Sequence, residues 1–130
     1  MNDKKTNLDI SYPEYFKTLG IEVVEMKNGE SKLILPFDKK LTQPFDIIHG
    51  GAIFSLADSA CAVAVASIIK SDKKFVTAEM KINYLEQVKE DDLIGIGKVL
   101  RQGRVVPVEA EVYNKNVLVA KAIATYIILD

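Results

Sequence analysis

The sequence predicts an α+β domain in which a largely antiparallel sheet curves around one long helix. Three observations carry this. Ala52 to Ile69 is the one long helical run and is apolar on nearly every face, so it needs cover on several sides, which a curved sheet supplies. Two strand-like runs precede it and four follow, an order that fits α+β rather than alternating β-α units. The chain has 130 residues, 48% hydrophobic and 27% charged, which is the range of one globular domain (1–130) with its own core.

The elements follow in order. Residues 1–9 are the longest polar stretch and are expected to fray. Ser11-Tyr12-Pro13-Glu14 has Ser and Glu at capping-box spacing, with Pro inside the first turn and Gly20 placed to stop the helix after Leu19. Ile21 to Met26 and Lys32 to Phe37 flank Lys27-Asn28-Gly29-Glu30, and Asn-Gly between apolar runs signals a hairpin because both turn positions tolerate positive φ. Leu41 to Gly51 lacks periodicity and reads as a loop. The helix Ala52 to Ile69 would span roughly 27 Å, but Ser55, Asp58, Ser59 and Ser67 interrupt it, and an Asp at mid-membrane is costly. Phe75 to Leu85 alternates, with Val76, Ala78, Met80, Ile82 and Tyr84 on one face and Thr77, Glu79, Lys81 and Asn83 on the other. Leu93 to Leu100, Val105 to Tyr113 and Val117 to Ile128 complete the strands. Pro107 places a bulge or a local edge in its strand, and Gly95 and Gly97 leave one strand face bare.

Composition excludes several classes of function. Seventeen Lys plus Arg against eighteen Asp plus Glu leave a net charge of -1, so no overall field attracts nucleic acid or an acidic membrane. A single cysteine, Cys61, forms no internal disulfide, and the first residues lack the apolar core of a secretory signal. A cytoplasmic location is therefore expected. One His and one Cys do not make a zinc site, and Gly95-Ile96-Gly97 opens no helix and has no third glycine.

What remains is the segment from Gln43 to Asp58, a Gly pair at the start of a buried helix with a carboxylate two turns in. The first turn of a helix presents unpaired N–H groups and the positive end of the dipole, and glycine lets a substrate oxygen approach them. Asp58 sits in a helix expected to be almost wholly buried, where a carboxylate is costly unless paired or used, and where desolvation favours a general base. Taken singly, Gly50-Gly51 equally suits a tight junction, and Asp58 a polar group bonded to Ser55, Ser59 or backbone. The combination favours a site. Gly50 and Asp58 are eight residues apart, about 12 Å along the axis, too far for one carbonyl carbon to meet both. Gly50 of one subunit would therefore face Asp58 of another in an obligate dimer with antiparallel helices. His49 is expected to position the loop, Gln43 to hold water or substrate through its amide, and Cys61 to be a buried structural thiol. Arg101-Gln102-Gly103-Arg104 puts two guanidinium groups around a turn, a disposition suited to the phosphates of a nucleotide-tailed acyl carrier.

The segment Gln43 to Asp58, with Thr77, Asn83-Tyr84-Leu85 and Arg101-Gln102-Gly103-Arg104 beyond it, resembles the hotdog-fold acyl-CoA thioesterases, in particular the phenylacetyl-CoA thioesterase-like branch. The resemblance covers nearly the whole chain. It implies a hotdog fold, with protomers paired side by side and often paired again into tetramers. His49, Gly50, Gly51 and Asp58 match the family's His-Gly-Gly and its acidic residue eight positions after the first Gly. By resemblance, the Gly50 N–H polarises the thioester carbonyl and the partner's Asp58 activates water or attacks directly. Gln43 and Thr77 match residues that place substrate, water and the acid, while Gly51, Asn83, Arg101, Gly103 and Arg104 fall where the family meets its substrate. One departure is Glu86-Gln87, where many relatives have Arg-Pro.

The resulting expectation is an acyl-CoA thioesterase without metal or organic cofactor, acting as a homo-oligomer with neither nucleic acid nor membrane as partner. The competing binding function is a non-catalytic acyl-CoA sensor on the same fold, which needs a pocket but no acid. A hotdog hydratase and a purely structural oligomer fit less well. The first usually pairs Asp and His along its helix start, and the second leaves Asp58 unexplained.

Overall fold

The computed structural model describes residues 12–129. A short helix α1 (Glu14–Leu19) leads into β1 (Glu22–Lys27) and β2 (Glu30–Leu35), then a 3-10 turn at Lys39–Leu41 and the long helix α2 (Gly50–Ala66). Four strands follow: β3 (Lys74–Tyr84), β4 (Leu93–Val99), β5 (Val105–Asn114) and β6 (Val117–Leu129). They form one six-stranded antiparallel sheet in the order β1-β2-β4-β5-β6-β3, so β1 and β3 are its edges. This is the α+β arrangement expected.

Local chemistry accounts for most boundaries. Gly20 ends α1 at φ 88°, a left-handed position, and its N–H donates to the Phe16 carbonyl at 2.8 Å. Pro13 is the residue before the helix, not part of its first turn; Ser11 and the stretch 1–9 lie outside the described residues. Asn28 and Gly29 both have positive φ, 54° and 81°, as the two-residue hairpin turn requires. The second strand starts two residues before its expected Lys32, because Glu30 already pairs with Lys27 across that turn. Helix α2 starts two residues earlier than expected because the His49 side chain caps it. It ends three residues earlier, at Ala66, and is capped by Ser67, whose hydroxyl donates to the Ala64 carbonyl and accepts the Gly29 N–H, each at 2.7 Å.

Helix α2 packs on β4, β2 and β5, and glycine sets how closely. A Cβ at Gly97 would lie 2.3 Å from the Ala60 carbonyl oxygen, and one at Gly95 would lie 2.9 Å from Leu56 Cγ. The bare face expected of these glycines is thus where the helix rests. Ser31, buried beneath the same turn, donates its hydroxyl to the Ala60 carbonyl at 2.6 Å. On β6 the buried residues Ala120, Ala122 and Ala124 are small, and the buried Tyr126 continues that inward row. Pro107 sits at a local edge: its carbonyl accepts the Leu100 N–H at 2.9 Å just past the last β4–β5 pair, Val99 with Val108. The missing N–H therefore interrupts no ladder.

The alternation read along β3 is corrected by a bulge. Thr77 pairs with Tyr126 and Glu79 with Thr125, leaving Ala78 as the extra residue. An extra residue reverses which side chains face inward. Phe75 and Thr77 therefore face the helix together with Met80, Ile82 and Tyr84, whereas Val76, expected on that face, is exposed.

Replacing Gly97 with Ala should destabilise the fold by at least about 2 kcal/mol, because its neighbour is backbone that cannot rotate away. Thermal unfolding should fall by roughly 8 °C, and an unchanged midpoint would contradict this packing.

Candidate active site

The start of α2 leaves one backbone donor open. His49 Nδ1 accepts the Gly51 N–H at 2.7 Å, while the N–H groups of Ala52 and Ile53 reach the His49 carbonyl at 2.9 and 3.4 Å. Only the Gly50 N–H has no partner among the described residues. The first-turn donors of a helix carry its positive dipole end, so the opening expected at the Gly pair narrows to a single amide. Gly51, with its N–H held by His49, presents no second donor. Tyr84 borders the opening. Its hydroxyl donates to the Gly50 carbonyl at 3.0 Å, and its ring lies 3.5 Å from where a Gly50 Cβ would be.

Asp58 is held through one carboxylate oxygen. Oδ1 accepts the Thr77 hydroxyl at 3.1 Å and also the Tyr126 hydroxyl, which bonds the Asp58 backbone carbonyl at 2.8 Å as well. Oδ2 has no partner among the described residues. The β3 bulge puts Thr77 on this face, and strand pairing sets Tyr126 directly beside it. Burial, and then the hydrogen bond to Asp58, push the Tyr126 phenol well above the ordinary tyrosine range, so it stays a donor at neutral pH. Asp58 is only half-buried, not almost wholly buried as expected, because α2 turns one stripe away from the sheet. Phe54 is on that stripe, 36% exposed.

The other expected site residues divide into three groups. Gln43 spends its side-chain oxygen on the Phe45 N–H, and its backbone bonds Ile47 and Asp46. Its amide therefore fixes its own loop and keeps only the NH2 for another partner. Asn83 lies on the opposite face of β3 from Tyr84 and accepts from Lys81 Nζ at 2.7 Å, so it does not join Gly50 and Asp58. Arg101, Gly103 and Arg104 lie at the other end of α2. There Gly103 and Arg104 border a cleft of about 360 Å³ with Lys70, Lys73 and Ile69. Tyr126 and Lys70 escaped the sequence reading, whereas Lys73 stood out there only as one of a charged pair in a connection. An inward-facing tyrosine in a row of alanines was the available signal, because a buried phenol needs a hydrogen-bond partner.

Cys61 is fully buried, and desolvation, followed by repulsion from Asp58 and Glu109, pushes its thiol up to about 12. At pH 8 its thiolate fraction is on the order of one in ten thousand. The native protein should therefore not react with a colorimetric thiol reagent at pH 7 to 9, whereas one thiol per chain should appear after denaturation. Rapid native labelling would contradict this environment.

The chain is similar to several known proteins. The family model described as "Thioesterase superfamily" matches residues 45–121, from the loop before α2 into β6. A Saccharolobus solfataricus protein that carries a provisional esterase name is 39% identical over 117 residues, covering 88% of this chain and 77% of that one. The 1,4-dihydroxy-2-naphthoyl-CoA hydrolase of Listeria monocytogenes is 33% identical over 69 residues, 53% of this chain and 56% of its own. Among solved structures, the conserved protein PA5202 from Pseudomonas aeruginosa superposes with a TM-score of 0.88 at 34% identity, covering 91% of this chain and 95% of that one. The match spans more than half the chain and includes both the open amide and the anchored carboxylate, so this chain belongs to the thioesterase superfamily, as a thioester hydrolase with the hotdog fold.

Proposed function

We propose that the chain hydrolyses an acyl-CoA thioester to the free acid and CoA, and that two protomers build each site. The observation that carries this reading is the asymmetry of the Asp58 carboxylate: Oδ1 is held by Thr77 and Tyr126, and Oδ2 has no partner among the described residues. A carboxylate anchored through one oxygen presents the other in a set direction, as a base or nucleophile must. The open Gly50 amide is the complementary half, a donor aimed from a helix start at charge developing on a carbonyl oxygen. Both lie on α2 about 12 Å apart along the axis, so Gly50 of one protomer serves Asp58 of the other. The unpaired edge of β3 and the exposed Phe54 support a second copy along this side.

In the base route, Asp58 takes a proton from water as the water adds to the thioester carbonyl, and the Gly50 amide meets the oxyanion. Collapse expels the CoA thiolate, which takes the proton back. In the nucleophilic route, Oδ2 attacks, CoA leaves, and water opens the mixed anhydride. Entry of heavy oxygen from labelled water into the Asp58 carboxylate in a single turnover marks this second route. His49 positions the Gly50 amide by capping, and the Gln43 NH2 remains to hold water or carbonyl. Arg104, which shares its cleft with Lys70 and Lys73, and Arg101 in the same turn supply positive charge suited to CoA phosphates. The name of the Listeria relative, a CoA thioester hydrolase, supports that carrier. We place the reaction in the cytoplasm.

Thiol release from a panel of acyl-CoAs tests the reading. Asp58→Asn should lower kcat by about 10²–10⁴-fold. Gly50→Pro deletes the open N–H at the helix position that best tolerates proline, and His49 already has the extended backbone (φ −66°, ψ 135°) that precedes one. It should lower kcat by about 10²–10³-fold with the fold retained. Unchanged turnover in either variant would contradict the assignment, and tight binding without turnover by the unaltered protein would favour the sensor.

A further inference from the structure

A cleft of about 240 Å³ opens beside α2, and every residue around it is apolar: Pro13 and Phe16 from the α1 end, Met26 on β1, Ala62 and Ala66 on α2, and Phe75 on β3 among them. It lies one helical turn from Asp58. Ala62 is one helical turn beyond Asp58 on the same side of α2. Phe75 is two residues before Thr77 on the inward face of β3, and its ring packs 6.0 Å from that of Tyr126, the phenol that holds Asp58. An apolar cleft one helical turn beyond a half-buried acid is within reach of an acyl group whose carbonyl is held at that acid.

We propose that this cleft receives the acyl tail of the substrate and limits it to a medium-length chain or a group of similar bulk, an inference that rests on the thioesterase reading above. Size supports the limit. An apolar cavity of about 150 Å³ takes up a benzene ring, so 240 Å³ accommodates a tail of about six to ten carbons. The two alanines set the depth, because any larger residue at either position projects into the cleft. Polar or charged acyl groups find no hydrogen-bond partner among these walls and pay for lost hydration. Each methylene buried there should raise kcat/KM about fourfold until the cleft is full.

The experiment is a chain-length series of straight acyl-CoAs from acetyl to palmitoyl, run on the unaltered protein, on Ala66→Leu and on Met26→Ala. The expected profile rises steeply to a maximum near octanoyl and then levels or falls. Ala66→Leu, which fills the cleft two helical turns from Asp58, should lower the octanoyl-to-butanoyl ratio of kcat/KM at least tenfold. Met26→Ala, which opens the other wall, should move the maximum to longer chains and keeps the test decisive if the filled variant fails to fold. Hydrolysis with a flat profile, or a preference that neither folded variant moves, would overturn the assignment of the cleft while leaving the thioesterase reading standing. That result would assign the cleft to another part of the chain or to a second copy. Absence of hydrolysis with every member would overturn both.

Discussion

The close approach of α2 to β4 is the constraint on which the rest of the molecule depends. With the Ala60 carbonyl oxygen 2.3 Å from where a Gly97 Cβ would sit, and Leu56 crowding Gly95 in the same way, the helix lies nearer the sheet than any side chain would allow. Ser31 ties the same carbonyl from below, and the small residues Ala120, Ala122 and Ala124 keep the neighbouring strand shallow. A helix seated this way has little freedom to slide or turn. Its first turn and the carboxylate two turns further on are therefore set relative to β3 and β6, where Tyr84, Thr77 and Tyr126 bond them.

In the proposed reading, function comes from what the helix leaves unpaired. Its buried stripe faces the sheet, and the remaining stripe carries the open Gly50 amide, Phe54, Asp58 and the alanines beside the apolar cleft. The sheet reaches the Asp58 part of this stripe through β3 and β6. There the β3 bulge and the β3–β6 register bring two hydroxyls, from Thr77 and Tyr126, onto one oxygen of one carboxylate. In the proposed arrangement, a donor at one end of the stripe and an acid two turns away are two half-sites that a two-fold axis would join into whole ones.

Much of this was legible in the sequence where a local rule decides the outcome. Asn28-Gly29 and Gly20 demand positive φ, the bare pair Gly95 and Gly97 demands a close neighbour, and His49-Gly50-Gly51 before an apolar run demands a capped helix start. Where outcomes depend on pairing between distant segments, the sequence was silent. The alternation of β3 reads straight through Ala78, because the bulge exists only against β6, and so Val76 was assigned to the wrong face. Tyr126 reads as one more strand residue until its register sets it beside Thr77. Asn83 matched a pattern but sits on the far face, and Gln43 was read as a free amide although its oxygen closes its own turn. The stripe that leaves Asp58 half-exposed was missed for the same reason, since an apolar helix does not state which side its own sheet will leave open.

The central claim is that each site takes its amide from one protomer and its acid from the other. Subunit complementation tests this most directly: inactive Gly50→Pro and Asp58→Asn chains are refolded together in equal amounts and assayed for thioester hydrolysis. In a mixed dimer one of the two sites has both an intact Gly50 amide and an intact Asp58, so random pairing should restore about a quarter of the unaltered activity. If the mixture stays as inactive as its components while mixed dimers are shown to form, each site lies within a single chain and the shared-site arrangement is wrong.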